Sequence, residues 1–160
     1  MRRLAVLFLA LGLCLASATA AGAAQPTITP GEPFADVVIP FPGACGDFGL
    51  VATVSGRTHY ITFVDSAGSA IRGISGGQFF MTWARDDDPS VSQTFAISGP
   101  TFYDATGAIS HGTGSWTVPL EDGSWVVVHG RLTLSDTFVD GFQALEGYVG
   151  TSTSVCDLLA

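Results

Sequence analysis

The sequence predicts an all-β fold, a single antiparallel meander of about eight to ten strands closing into a small up-and-down β-barrel. Three observations carry that expectation. Turn chemistry recurs at short intervals, in Asp65-Ser66-Ala67-Gly68, Gly76-Gly77, Asp87-Asp88-Pro89, Ser98-Gly99-Pro100, Asp104-Ala105-Thr106-Gly107 and Asp122-Gly123. Each cluster has a physical reason to bend: glycine reaches positive φ, proline fixes φ, and aspartate hydrogen-bonds its own following backbone. Between the turns lie short runs of β-branched and aromatic residues, several alternating apolar with polar. No window repeats apolar residues at helical spacing with caps, so little helix is expected. Connections this short favour sequential antiparallel neighbours, and closing the meander removes its exposed edges. A Greek-key β-sandwich is the alternative.

Taken in order, residues 1–24 read as a secretory signal peptide. Arg2 and Arg3 precede an apolar run from Leu4 to Ala16, and small residues at Ala18-Thr19-Ala20 and Ala21-Gly22-Ala23 offer cleavage sites. The run is shorter than the roughly 20 residues of a membrane span. Residues 25–34, QPTITPGEPF, are proline-rich and expected to be a loose, flexible arm. Residues 35–160 form the barrel domain. Strands are expected near Ala35–Ile39, Phe48–Ser55, Thr58–Asp65, Ala70–Ile74, Phe79–Arg85, Val91–Ser98, Thr101–Tyr103, Ile109–Val118, Trp125–Ser135 and Ala144–Thr151. Phe79, Met81 and Trp83 share one face of their strand, and the valines after Trp125 face both ways, as in a strand covered on both sides. Asp122-Gly123 reads as a two-residue hairpin turn. Internal glycines such as Gly112, Gly114 and Gly130 mark bulges or bends.

Charge and cysteine usage narrow the setting. Beyond residue 24 the strong cations are Arg57, Arg72, Arg85 and Arg131, against 14 acidic side chains, a formal charge of −10. Affinity for phosphate backbones and anionic headgroups comes from Lys and Arg, so nucleic acid and membrane surfaces are not expected partners. The chain has no asparagine, which excludes N-glycosylation. Cleavage removes Cys14 and leaves Cys45 and Cys156, and export places them where paired thiols become disulfides. A Cys45–Cys156 bridge is the expectation, with a secreted, extracellular location.

Cys45-Gly46-Asp47-Phe48 near the start is followed by the Ser98-Gly99-Pro100 turn, a D-x-x-G turn ahead of His111-Gly112-Thr113-Gly114-Ser115-Trp116, and the terminal Val155-Cys156-Asp157-Leu158. Motifs in this order resemble those of a group of small secreted actinobacterial β-barrel-like proteins of uncharacterised function. The resemblance implies a barrel-like fold and the same cysteine pair. It implies no activity.

Candidate chemistry is sparse. Gly73-Ile74-Ser75-Gly76-Gly77 matches the nucleophile-elbow pattern, but that motif needs a strand, a turn and then a helix, and a strand-like QFFMTWAR follows. His59, His111 and His129 are widely spaced and lack a local metal-binding pattern. Asp86-Asp87-Asp88 lacks the alternating layout of a calcium loop. No catalytic residue, metal ligand or cofactor is assigned. One face of the strand after Trp125 carries His129 and Arg131, and Glu146 falls on the next strand. If that face points into a lumen, Trp125, His129, Arg131 and Glu146 form a ligand site.

The expected function is therefore a secreted, disulfide-stapled barrel, monomeric, that binds or carries a small apolar molecule. An extracellular structural or interaction protein without catalysis is the alternative. A small-barrel isomerase or cyclase using interior His, Arg and Glu is the second alternative.

Overall fold

Aspartate-led turns reverse the chain where the sequence places most of them. Asp65 Oδ1 accepts from the Ala67 and Ser69 amides, each at 2.9 Å. Asp104 Oδ1 accepts from the Thr106 amide and hydroxyl at 2.8 and 2.6 Å and from the Ala108 amide at 3.1 Å. A side chain that bonds the backbone two residues on holds the turn before any long-range contact forms.

The computed structural model describes residues 25–160, so the expected signal peptide lies outside the described residues. Between the turns run β1 (Thr27–Phe41), β2 (Leu50–Val64), β3 (Ala70–Arg85), β4 (Ser92–Ser98), β5 (Thr101–Tyr103), β6 (Ile109–Pro119), β7 (Trp125–Val139) and β8 (Phe142–Ser154), then a short helix α1 (Val155–Leu159). Every ladder is antiparallel, in the order β1-β2-β3-β4-β6-β7-β8, with β5 pairing both β3 and β6. The circuit β3-β4-β6-β5 is closed, with β1 and β2 outside it on one flank and β7 and β8 on the other. The fold is the all-β antiparallel barrel that the turn spacing predicts, with eight strands.

Its details depart from the sequence reading in four places. Residues 27–34, expected as a loose arm, are the first half of β1, with Thr27–Pro30 set against His59–Thr62. β1 lies at the end of the sheet order, and an edge strand accommodates prolines that cannot donate to a ladder. The strands expected on either side of Gly56, and on either side of Gly76-Gly77, are single long strands, because these glycines stay in register. Ser98-Gly99-Pro100 interrupts a strand and does not reverse it: Gln78↔Ser98 and Ser75↔Thr101 keep one register along β3. The two-residue hairpin turn is at Asp140-Gly141, both with positive φ (51° and 84°), whereas Asp122-Gly123 sits in a longer loop closed by Leu120 and Ser124.

A row of glycines crosses the sheet. Gly114 is opposite Gly130 and Gly130 opposite Gly150. On the other side of β6, a Cβ on Gly114 would strike the Ser98 carbonyl and one on Gly99 the Thr113 carbonyl. Gly99, Gly114, Gly130 and Gly150 have φ from 105° to 145°, which only glycine adopts readily. The backbones approach where side chains would stand, and the sheet bends there.

The bend is visible in distances. Trp125 and Val139 would stand about 45 Å apart on a straight strand at roughly 3.3 Å per residue. Yet the ring of Phe142, just past the hairpin turn, is 5.3 Å from that of Trp125. Beyond Gly130 the β7–β8 hairpin doubles back, helped by register shifts at Thr133/Leu134 and Leu134/Phe138. Leu132, Leu134 and Leu145 then pack with Val118, Val126 and Val128 as one apolar cluster. The opposite face of β7 gives Trp125 and Val127 to a larger cluster with Phe41, Leu50, Ala52, Met81, Trp83 and Ile97. Residues Trp125–Val128 are all buried, as the two-faced valine pattern predicts.

A disulfide closes the lower end. Cys45, in the loop after β1, is bonded to Cys156 of α1, with Cα atoms 5.4 Å apart and a sequence separation of 111. Val155 and Leu159 flank Cys156 and are buried in the larger cluster, so the bond ties the helix to the core. Closing a loop of this length stabilises the fold by about 5 kcal/mol in the chain-entropy model. Replacing both cysteines by serine is expected to lower unfolding stability by several kcal/mol, up to about that figure. Urea unfolding of the oxidised protein beside the variant measures it, and equal midpoints would contradict the assignment.

Candidate functional site

Of the four residues expected to share a lumen, Trp125 is buried in the core and the other three are on the surface. Trp125 is 1% exposed, its ring 5.0 Å from Trp83 and 4.8 Å from Phe41. His129, Arg131 and Glu146 are exposed. Trp125 and Val127 face the larger cluster, whereas His129 and Arg131, the next residues of the same alternation, are exposed. The aromatic cluster fills the space a lumen would need. The Nε1 atoms of Trp83 and Trp125 are buried without a hydrogen-bond partner, a cost of about 1–3 kcal/mol each that the packing must offset.

The other motifs resolve into structure. Gly73–Gly77 lies inside β3, and Ser75 Oγ is 3.1 Å from the Tyr103 hydroxyl. That is no strand–turn–helix elbow. His111 stacks on Phe102 with centroids 4.3 Å apart and has its Nδ1 3.0 Å from Ser110 Oγ, while His59 packs beside Gly76. Among the described residues, no three His, Cys, Asp or Glu side chains are grouped so as to hold a metal ion.

The Asp86–Asp88 run spends each carboxylate separately. Asp86 accepts from the Gly49 amide at 2.8 Å. Asp87 takes two 2.9 Å bonds from Arg85 Nε and Nη2, while that guanidinium lies 4.2 Å from the Phe48 ring centroid. Asp88 accepts from the Ser90 amide and hydroxyl at 3.1 and 2.6 Å. Hydrogen bonding from Arg85 holds the Asp87 carboxyl below its usual range, and the Ser90 hydroxyl does the same for Asp88. Thr106 lowers Asp104 and Ser124 lowers Asp122 in the same way.

A concave surface lies at the opposite end of the sheet from the disulfide. A groove of about 350 Å³ opens between the β2–β3 hairpin and the β5–β6 turn, lined among others by Tyr60, Arg72, Gly73, Ile74, Tyr103 and Thr106. The ladders build it: Tyr60 is opposite Ser75 across β2–β3, and Gly73 opposite Tyr103 across β3–β5. The Ser75–Tyr103 hydroxyl contact fixes the Tyr103 ring, and the missing side chain at Gly73 leaves the floor open. Arg72 lies opposite Phe63, its guanidinium 4.2 Å from that ring's centroid. A second depression, of about 410 Å³ between Pro40–Ala44 and the Asp122 and Asp140 turns, is lined by two acids and turn backbone.

Sequence reasoning missed this groove because its walls are about 40 residues apart in the chain. The available signal was that Arg72 and Tyr103 each flank an aspartate-led turn, where strand ends meet. No protein-family model, curated protein or solved structure matches the chain.

Asp88, Asp104 and Asp122 contribute to the acid response. Their folded-state pKa values lie below the unfolded values near 4, so their stabilisation is complete above that range. It is lost as pH falls through the lowered folded values. Melting temperature is expected to change little on this account above pH 5 and to fall below about pH 4. In the triple variant Ser90→Ala, Thr106→Ala, Ser124→Ala, the acid-side slope should be shallower, and an unchanged slope would contradict the assignment.

Proposed function

We propose that the protein is an exported binding module that holds a small amphipathic molecule in the groove between the β2–β3 hairpin and the β5–β6 turn. The observation that carries this reading is the groove itself. Its volume of about 350 Å³ falls at the lower end of ligand pockets, which run about 300–1,000 Å³. Its lining fits that chemistry too, with two tyrosines and two isoleucines among its residues and a few polar groups at the margin. The disulfide supports export, because such bonds persist in oxidising compartments.

An extracellular interaction protein is the second reading. It is favoured by the unbroken exposure of Tyr148–Thr153 on β8, which ends the sheet order without an outer neighbour. An uncovered strand edge is a template for pairing with another chain. An enzyme built on His129 and Glu146 has no such support, since both are exposed and neither lines the groove.

Filling the groove separates the readings. A side chain at Gly73 would start 3.5 Å from Tyr103 Cβ, an ordinary contact, so Gly73→Leu should fold and occupy the cavity. An apolar fluorescent dye is expected to bind the wild-type protein and to lose at least about tenfold in affinity with the variant, or about 1.4 kcal/mol. Equal binding by two well-folded proteins would overturn the groove as the site.

A further inference from the structure

We infer that β8 pairs edge to edge with β8 of a second copy of this chain, giving a two-fold dimer at high concentration; the inference rests on the second reading above and names its partner. The two edges of the sheet differ. β1 carries Pro30, Pro33 and Pro40, which have no N–H to donate, and breaks register at Pro30/Pro33 and at Phe34/Val37. It also holds Glu32 and Asp36, the latter with φ of 45°. Prolines, charges and bulges blunt an edge against pairing. From Gly147 to Ser154, β8 has none of them. Tyr148–Thr153 is exposed on both faces, and no charged side chain occurs between Glu146 and Asp157. Ser152 Oγ donates to the Tyr148 hydroxyl at 2.8 Å, so that ring runs along its own strand and not across the outer edge.

A second copy fits because this stretch is complementary to itself. Antiparallel pairing centred on Gly150 sets its bulky half against its small half, with Val149 opposite Thr151 of the other copy and Tyr148 opposite Ser152. Two glycines meet at the axis, where no side chain holds the strands apart. Glu146 then faces Ser154 and not its own counterpart, which avoids like charges directly opposite each other. Each β8 keeps its ladder with β7 while its outward N–H and C=O groups gain partners. Such an interface is isologous, and with β1 blunted it closes at two chains. Each copy carries a formal charge of −10 over residues 25–160, so net repulsion opposes pairing and salt relieves it. A contact this small lies below the roughly 1,200 Å² of stable complexes, which places the dissociation constant on the order of 100 μM.

Sedimentation equilibrium of the mature protein from about 1 μM to about 1 mM tests this. The mass is expected to rise from one chain to two and stop there, with the midpoint moving to lower protein concentration as salt rises. Val149 and Thr151 are exposed, so Val149→Glu and Thr151→Lys should both fold. Each variant alone brings like charges together near the axis and should weaken pairing about fivefold. An equimolar mixture of the two should associate more tightly than either alone, because this register sets position 149 of one copy against position 151 of the other. One chain at every concentration would overturn the second copy as the partner while leaving the edge reading standing. Growth past two chains, or a dimer that neither variant weakens, would place the contact on another surface and overturn the role of β8. Amide exchange in dilute protein judges the edge itself. If every amide of Tyr148–Thr153 is as protected as those of Val126–Val128, β8 is already covered, and the edge reading falls with this inference.

Discussion

The architecture depends on a line of backbone contacts that no side chain could survive. Where Gly99, Gly114, Gly130 and Gly150 meet across β4–β8, each Cβ position is occupied by a neighbouring strand's carbonyl. Strands that close cannot continue as a gently twisted ribbon. They turn, and two apolar clusters form on opposite faces of β7. Without the turn, the distal hairpin would project into solvent, and Leu132 and Leu145 would lose the valines they cover. Glycine inside a strand is ordinarily a weakness, costing backbone entropy and offering nothing to pack. Here that cost is offset by a second core.

Much of the fold could be read from local chemistry. Aspartate-led turns at 65, 104 and 122 act over two to four residues, and the alternation of Phe79, Met81 and Trp83 reports one strand's faces; both survive in the structure. The Cys45–Cys156 bond follows from counting. What was not legible depends on partners far away in the chain. Glycine marks a reversal at Gly107 and a close approach at Gly114, and the residue type is the same in both. Which role it plays depends on whether a backbone lies beside it. The prolines of β1 likewise read as an arm until β2 supplies the ladder.

The misplaced ligand site has the same origin. Alternation correctly puts Trp125, His129 and Arg131 on one face of an ideal strand. Alternation gives which side chains share a face, not where the core beneath that face ends: Val127 is buried, and His129, two residues on, is already exposed. Concavity moves from the interior, filled by Phe41, Trp83 and Trp125, to the rim where hairpin ends meet. Rim sites built from turns can vary without disturbing the core, which is why binding groups often sit on loops carried by rigid sheets.

Substituting single glycines measures the constraint most directly. Gly107 and Gly114 both have positive φ, 86° and 105°, but a Cβ at Gly107 meets open space while one at Gly114 meets the Ser98 carbonyl. Gly107→Ala isolates the conformational cost, which is about 1–2 kcal/mol. Gly114→Ala adds the collision. The account predicts that the Gly107 variant keeps wild-type tryptophan near-ultraviolet dichroism with a modest loss of stability, while the Gly114 variant loses several times as much or fails to fold. Equal and small losses at both positions would show that the strands need not approach so closely, and would contradict the account.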